Sequence, residues 1–201
     1  MIPDALKEQL EQCAMPEGWC STEKAHAMAE LILDVQPKVS VELGVFGGRS
    51  LVAQAVALRY AEIPHSAVWG IDPWTVDAAT DGEVGDANRD WWQRIDIEGI
   101  RDQCLRGITL RRLWPWIRII VGKSQDCYKL FGGVDVLHID GNHSEEVSTK
   151  DVTNWLPTVR QGGYVWFDDA NWATTSKAVQ MLEDQCEMVK EVSGCRLYRV
   201  R

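Results

Sequence analysis

Apolar residues along this chain fall into two kinds of segment: short unbroken runs and longer stretches with helical spacing. The runs are VSVEL (39–43), AVWGID (67–72), RIIVG (118–122), VDVLHID (134–140) and GYVWFDD (163–169). Unbroken runs of this length are the pattern of strands buried on both faces. Between them, 49–62, 96–113, 124–131, 145–160 and 174–186 read as helices, and 3–14 and 22–35 add two more before the first strand. Ser21 or Thr22 caps the second of these. Strands alternating with helices predict an α/β fold with a parallel sheet covered on both faces. The last two runs, EMVKEVS and CRLYRVR, meet at Ser193-Gly194. A turn that tight makes them an antiparallel hairpin on the sheet edge. Residues 73–95 break the order as a long acidic stretch with Gly82 and Gly85, expected to be a lid or substrate loop.

As the second run does at Asp72, the fourth and fifth runs end in acid, at Asp140 and at Asp168-Asp169. Side by side in a parallel sheet, their ends lie about 5 Å apart, at the carboxyl edge where open α/β sheets hold ligands. Three carboxylates so close repel one another unless a cation neutralises them, and oxygen ligands suit a hard ion such as Mg²⁺. His143 is near enough in sequence to accept a proton from a bound hydroxyl, and Asn171 belongs to the same group of residues. Gly44, Gly47 and Gly48, between a strand and a helix, allow close approach of a ligand to the helix N-terminus, although the spacing is not G-x-G-x-x-G. Asp72, followed by Pro73, is placed to accept from the hydroxyls of a ribose. Gly122 and Ser124 follow the third strand, where Ser124 either caps a helix or borders an adenine. Each residue also has a structural use: the glycines make the turn, Asp72, Asp168 and Asp169 organise turns, and Asp140 or Ser144 caps a helix. His138, inside an apolar run, reads as a core histidine, and His26 and His65 carry no functional expectation.

Composition narrows the setting. The 201 residues are 45% hydrophobic and 25% charged, as in an ordinary globular protein. No apolar stretch approaches the roughly 20 residues needed to span a bilayer. The charged start MIPDALKEQLEQ argues against a secretory signal, so a cytoplasmic location is expected. A formal charge of −9 disfavours nucleic acid as a partner. Six cysteines without a C-x-x-C pair point to reduced thiols rather than zinc or disulfides. Of the ten tryptophans, Trp74, Trp91, Trp92 and Trp172 fall outside the core runs. They suggest a pocket lining or an interface, and with it a homo-oligomer.

In order, VELGVFGGRS, WGIDPW, GKSQD and HIDGNHS…D…W…GGYVWFDD resemble a class I S-adenosylmethionine-dependent methyltransferase across residues 18–200. E-x-G-x-x-x-G-x-S and the GGYVWFDD ending resemble, more narrowly, the small-molecule O-methyltransferases grouped with cephalosporin-biosynthesis and macrolide-sugar enzymes. The resemblance implies a Rossmann-like, doubly wound sheet in the order 3-2-1-4-5-7-6 with strand 7 antiparallel. It implies that Glu42, Gly44, Gly48 and Ser50 shape the methionine end of the cofactor pocket, that Asp72 binds the ribose, and that Gly122 and Ser124 border the adenine. Asp140 would face the cofactor, join Asp168 and Asp169 in holding Mg²⁺, and act in catalysis with His143 as general base. Residues 1–36 would pack on or cap the site of a methyltransferase domain at 37–201, and a small-molecule hydroxyl would be the acceptor. Two positions depart from the pattern: Glu145, where an aromatic is common, and Asn142, where an acid is common. The competing readings are an NAD-dependent oxidoreductase, disfavoured by the glycine spacing and the closing hairpin, and a cofactor-binding module without catalysis.

Overall fold

The computed structural model describes residues 2–201. Strands β1 (Val39–Leu43), β2 (Ala67–Asp72), β3 (Ile117–Val121), β4 (Val134–Ile139), β5 (Val159–Phe167), β6 (Cys186–Val192) and β7 (Cys195–Val200) form one sheet in the order β3-β2-β1-β4-β5-β7-β6. The first five run parallel, while β7 is antiparallel to both β5 and β6. The β6–β7 turn has positive φ at both Ser193 and Gly194, the geometry of a two-residue hairpin whose twist matches the sheet.

Helices α1 (Asp4–Cys13), α2 (Thr22–Val35), α3 (Arg49–Tyr60), α4 (Val76–Ala79), α5 (Asp86–Arg94), α6 (Ile97–Leu110), α7 (Ser124–Cys127), α8 (Glu145–Trp155) and α9 (Ser176–Gln185) complete the chain. The sheet separates two apolar cores. On one side α1 and α3 pack through Leu6, Leu51, Val56 and Leu58. On the other, Trp155 of α8 and Leu182 of α9 pack against Leu137, Val165 and Phe167. Side-chain caps define where several helices begin: Ser21 accepts from the Lys24 amide, Asp96 from Gly99, and Ser144 from Val147.

Several boundaries differ from the pattern. The stretch 73–95 is not an open loop; Thr75 caps α4, and α5 follows after Gly85. The helix expected at 145–160 stops at Trp155, and Pro157 lies in a 3₁₀ turn at Leu156–Thr158. Strand β5 therefore starts at Val159 rather than Gly163, with a register shift opposite Val134/Val136 and Gly162 at φ 71°. The segment 124–131 shortens to α7 plus a 3₁₀ turn. All six cysteines are buried free thiols. No helix among the described residues is long and apolar enough to cross a membrane.

Candidate functional site

Register brings the carboxyl ends of β1, β4 and β5 together. The Asp140 amide donates to Leu43 O at 2.9 Å and the Asp168 amide to Ile139 O at 3.0 Å, so the ladder runs one residue past the strands. Gly44 lies against this row at φ 83°, and a Cβ there would collide with the Asp140 carbonyl. Only glycine allows the two turns to close so tightly. Asp72 fixes the same turn: its Oδ2 accepts from the amides of Val45 and Phe46 at 2.8 and 2.9 Å, and its Oδ1 from Trp74 at 2.6 Å. Burial raises its pKa against those three bonds.

A continuous cleft follows this edge. One end is lined by Gly44, Asp72, Ser124, Gln125, Asn142 and Asp151. The next part shares Gly44 and Asp72 and adds Ser50, Asp140, His143 and Asp168. It opens into a cavity walled by Trp19, Trp91, Trp92 and Trp172, with Lys24 and His143 facing it. At the first end, Asp151 of α8 accepts from Ser124 Oγ at 2.6 Å and Gln125 Nε2 at 2.9 Å. Burial pushes its carboxyl up to about 7 despite both bonds.

The middle of the cleft holds the acids, and a lysine from α2 lies among them. Lys24 Nζ is 2.6 and 2.7 Å from the two oxygens of Asp168, and both side chains are buried. Burial penalises the ammonium, but the bonds and charge of Asp168 outweigh it and hold its pKa above that of an ordinary lysine. Burial likewise opposes ionisation of Asp168, but His138 and Lys24 keep its carboxyl below the usual range. Asp140 behaves oppositely: burial, with Asp168 and Glu42 adding like charge, drives its pKa well up. His143 Nε2 lies 3.4 Å from Asp169 Oδ2 and 3.8 Å from Asp140 Oδ1 and makes no hydrogen bond. Burial lowers its pKa, only partly opposed by Asp169 and Asp168, so the imidazole is neutral near pH 7.

Aromatic rings close the outer wall. Trp19, from the segment between α1 and α2, stacks on Phe46 of the glycine turn at 4.7 Å and meets Trp91 of α5 at 5.3 Å. Trp92 meets Phe46 edge-on at 5.8 Å, and Trp172 packs beside His143 at 5.1 Å. The segment bearing α4 and α5 is tied down by Asn142, whose Nδ2 is 3.0 Å from each of the carbonyls of Ala78, Ala79 and Asp81. An acid at this position would face three carbonyls with no proton to share, which explains the amide there.

A family model described as a methyltransferase domain matches residues 41–170. The chain belongs to that family. No curated protein matches the methyltransferase in a sequence comparison. Among solved structures, the O-methyltransferase NovP superposes with a TM-score of 0.70 at 20% identity, over 91% of this chain and 83% of that one. The O-methyltransferase TomG from Streptomyces achromogenes, solved with SAM, gives 0.66 at 15% identity over 99% and 91%. The O-methyltransferase from Bacillus cereus, solved with SAH, gives 0.66 at 13% over 100% and 93%. At these identities the likeness is one of fold, and the strand order is the one expected of class I methyltransferases.

Within the methyltransferase, Gly44, Ser50, Asp72, Ser124, Asp140, His143, Asp168 and Asp169 all line the cleft. Glu42, Gly48 and Gly122 are absent from its walls. Glu42 is fully buried, accepting from Ser50 Oγ, Gln54 Nε2 and facing His138 Nδ1 at 3.0 Å. Its carboxylate braces the cleft from behind. Gly48 is the left-handed residue at the start of α3. Ser124 is the first residue of α7 rather than its cap, and its hydroxyl turns to Asp151. Asn171 is exposed and outside the cleft, and Trp74 is buried in the core with Nε1 donating to Phe46 O. Lys24, Asp151 and Trp19 are the residues that sequence reasoning passed over. A lysine three residues after the Ser21 cap was the available signal for the first, since a helix N-terminus is unfavourable for a cation.

The three acids do not fit a divalent ion as they are arranged. Lys24 holds both oxygens of Asp168. Among the described residues, the one group of His, Cys and acidic side chains with ligand atoms within 4.8 Å of one another is His138, Asp168 and Cys195. Asp140 and Asp169 are outside it, and the same Lys24 ammonium lies on its Asp168.

Proposed function

We propose that this methyltransferase binds S-adenosylmethionine along the cleft and transfers its methyl group to a hydroxyl of a small molecule held in the Trp-walled cavity. The observation that carries the reading is the position of His143, a neutral imidazole without a hydrogen bond, where the two parts of the cleft meet. The nucleoside belongs at the end lined by Asp72, Ser124 and Asp151, where Asp72 Oδ1 and Asp151 Oδ2 retain acceptor capacity for hydroxyl and amine groups. The methionine end belongs beside Gly44, Ser50 and Asp140.

The sulfonium of the cosubstrate supplies an electrophilic methyl group and leaves as a neutral thioether. The chain's task is to align an oxygen with that methyl and take its proton, so positioning dominates catalysis. His143 Nε2 receives the proton from the hydroxyl as the C–O bond forms, and Asp169 at 3.4 Å stabilises the resulting imidazolium. Trp19, Trp91, Trp92 and Trp172 exclude water and offer flat apolar faces, which favours a ring-bearing acceptor. The segment before β1 caps the site by contributing Trp19 and Lys24. The divalent ion expected from the sequence has no step in this scheme, because Lys24 already engages Asp168.

Calorimetry tests the reading directly. S-adenosylhomocysteine should give a saturable heat and NADH none; the reverse result would replace the methyltransferase chemistry with a redox one.

A further inference from the structure

Lys24 is in an unfavourable place by every local criterion. It is buried, and it occupies the first turn of α2, where the helix dipole already presents positive charge. Lysines are almost never fully buried without a partner. The partner is Asp168, 144 residues away in sequence, with both carboxylate oxygens within 2.7 Å of Nζ. Ser21 caps α2 through the Lys24 amide, so the backbone that carries the ammonium is itself pinned.

We propose that the Lys24 ammonium is the resident cation of this site, taking the charge position of a divalent metal, so that methyl transfer proceeds without one. This rests on the methyl-transfer reading above. A metal ion ligated by Asp168 would have to displace an ammonium that occupies both of its oxygens. The acids at Asp140 and Asp169 complete no alternative cluster of metal dimensions among the described residues. Lys24 lines both the part of the cleft with Asp140 and His143 and the Trp-walled cavity. Among the described residues its Nζ has no hydrogen-bond acceptor beyond Asp168, which leaves one of three donors for a ligand. A fixed ammonium at that point orients the acceptor oxygen and stabilises the negative charge that develops as His143 removes its proton.

The test is a Mn²⁺ titration of the whole protein, followed by the electron paramagnetic resonance of free Mn²⁺, with S-adenosylhomocysteine binding measured in parallel. The chelator-treated wild type should bind S-adenosylhomocysteine and take up no stoichiometric Mn²⁺ at about 1 mM. Lys24→Met, which removes the cation seated on both oxygens of Asp168, should gain one Mn²⁺ per chain with affinity at least about tenfold tighter. That gain should vanish in Lys24→Met/Asp168→Asn. Lys24→Gln keeps a donor to Asp168 and serves the same purpose should the methionine variant fail to fold. One Mn²⁺ bound by the wild type and lost in Asp168→Asn overturns the proposal, as does a folded Lys24 variant with no gain. Absence of S-adenosylhomocysteine binding in the wild type is a different result, which removes the underlying reading.

Discussion

Asp151→Asn removes a titrating group from the nucleoside end of the cleft while keeping its shape and its Oδ1 acceptor. The native carboxyl is 1% exposed and accepts only from the uncharged Ser124 and Gln125, so no cation offsets its burial. Its pKa rises from 3.8 to about 7. A carboxyl with the higher pKa in the folded state binds its proton more tightly there than in the unfolded chain. Stability is therefore lost as pH climbs from the unfolded value through the folded one, and the loss levels off above it. Between pH 5 and pH 8 that difference amounts to about 2–3 kcal/mol. The asparagine variant carries no such dependence. Urea unfolding of both proteins at the two pH values isolates it, because every other titration is common to both. The variant should gain about 2–3 kcal/mol relative to the wild type on going from pH 5 to pH 8. Parallel pH profiles would mean that the carboxyl is ionised throughout and would refute the argument.

Other substitutions probe the rest of the site. His143→Gln should lower kcat about 10²- to 10⁴-fold with little change in S-adenosylhomocysteine affinity, and a matching loss of cofactor affinity would place His143 in the cofactor pocket instead. Because burial lowers the His143 pKa, the base stays neutral to lower pH, and the acid limb of kcat should fall below pH 6.5; a limb above that value counts against a buried imidazole. Asn142→Asp sets a carboxylate against the carbonyls of Ala78, Ala79 and Asp81, so limited trypsin digestion should cut faster at Arg89 or Arg94. Unchanged cleavage would show that the segment is held elsewhere. Gly44→Ala forces a Cβ toward the Asp140 carbonyl at positive φ and should cost about 1–3 kcal/mol in thermal or urea unfolding.

Run length and alternation are sufficient for the sheet, because a buried parallel strand requires continuous apolar residues and each crossover requires a helix. Ser193-Gly194 is sufficient for the hairpin, since positive φ at two successive positions suits few residue pairs. The acid-ended strands are legible for the same reason: the chain must place whatever follows Ile139 and Phe167 at one edge. What sequence pattern misses is pairing at a distance. Nothing near Lys24 announces Asp168, and nothing near Asp72 shows that three amides already engage it. The family resemblance puts Glu42 at the cofactor pocket, yet alternation along β1 turns it to Ser50, Gln54 and His138. The segment 73–95 is hard to read because its helices are short, four residues in α4 and nine in α5, and neither carries a buried residue; Trp91 and Trp92 find Trp19 and Phe46 only in the fold.

Asn142 and His143 are consecutive, and this couples two events that are usually treated apart. The Asn142 amide holds the α4–α5 segment through three carbonyls, and its Oδ1 accepts from the Ser144 amide at 2.7 Å, which sets the bend that carries His143. On the proposed reading, lifting that segment to admit a ring-bearing acceptor would break those carbonyl contacts beside the peptide that carries His143. Entry of the acceptor and placement of the base would then both depend on Asn142, so a change there would disturb the two together.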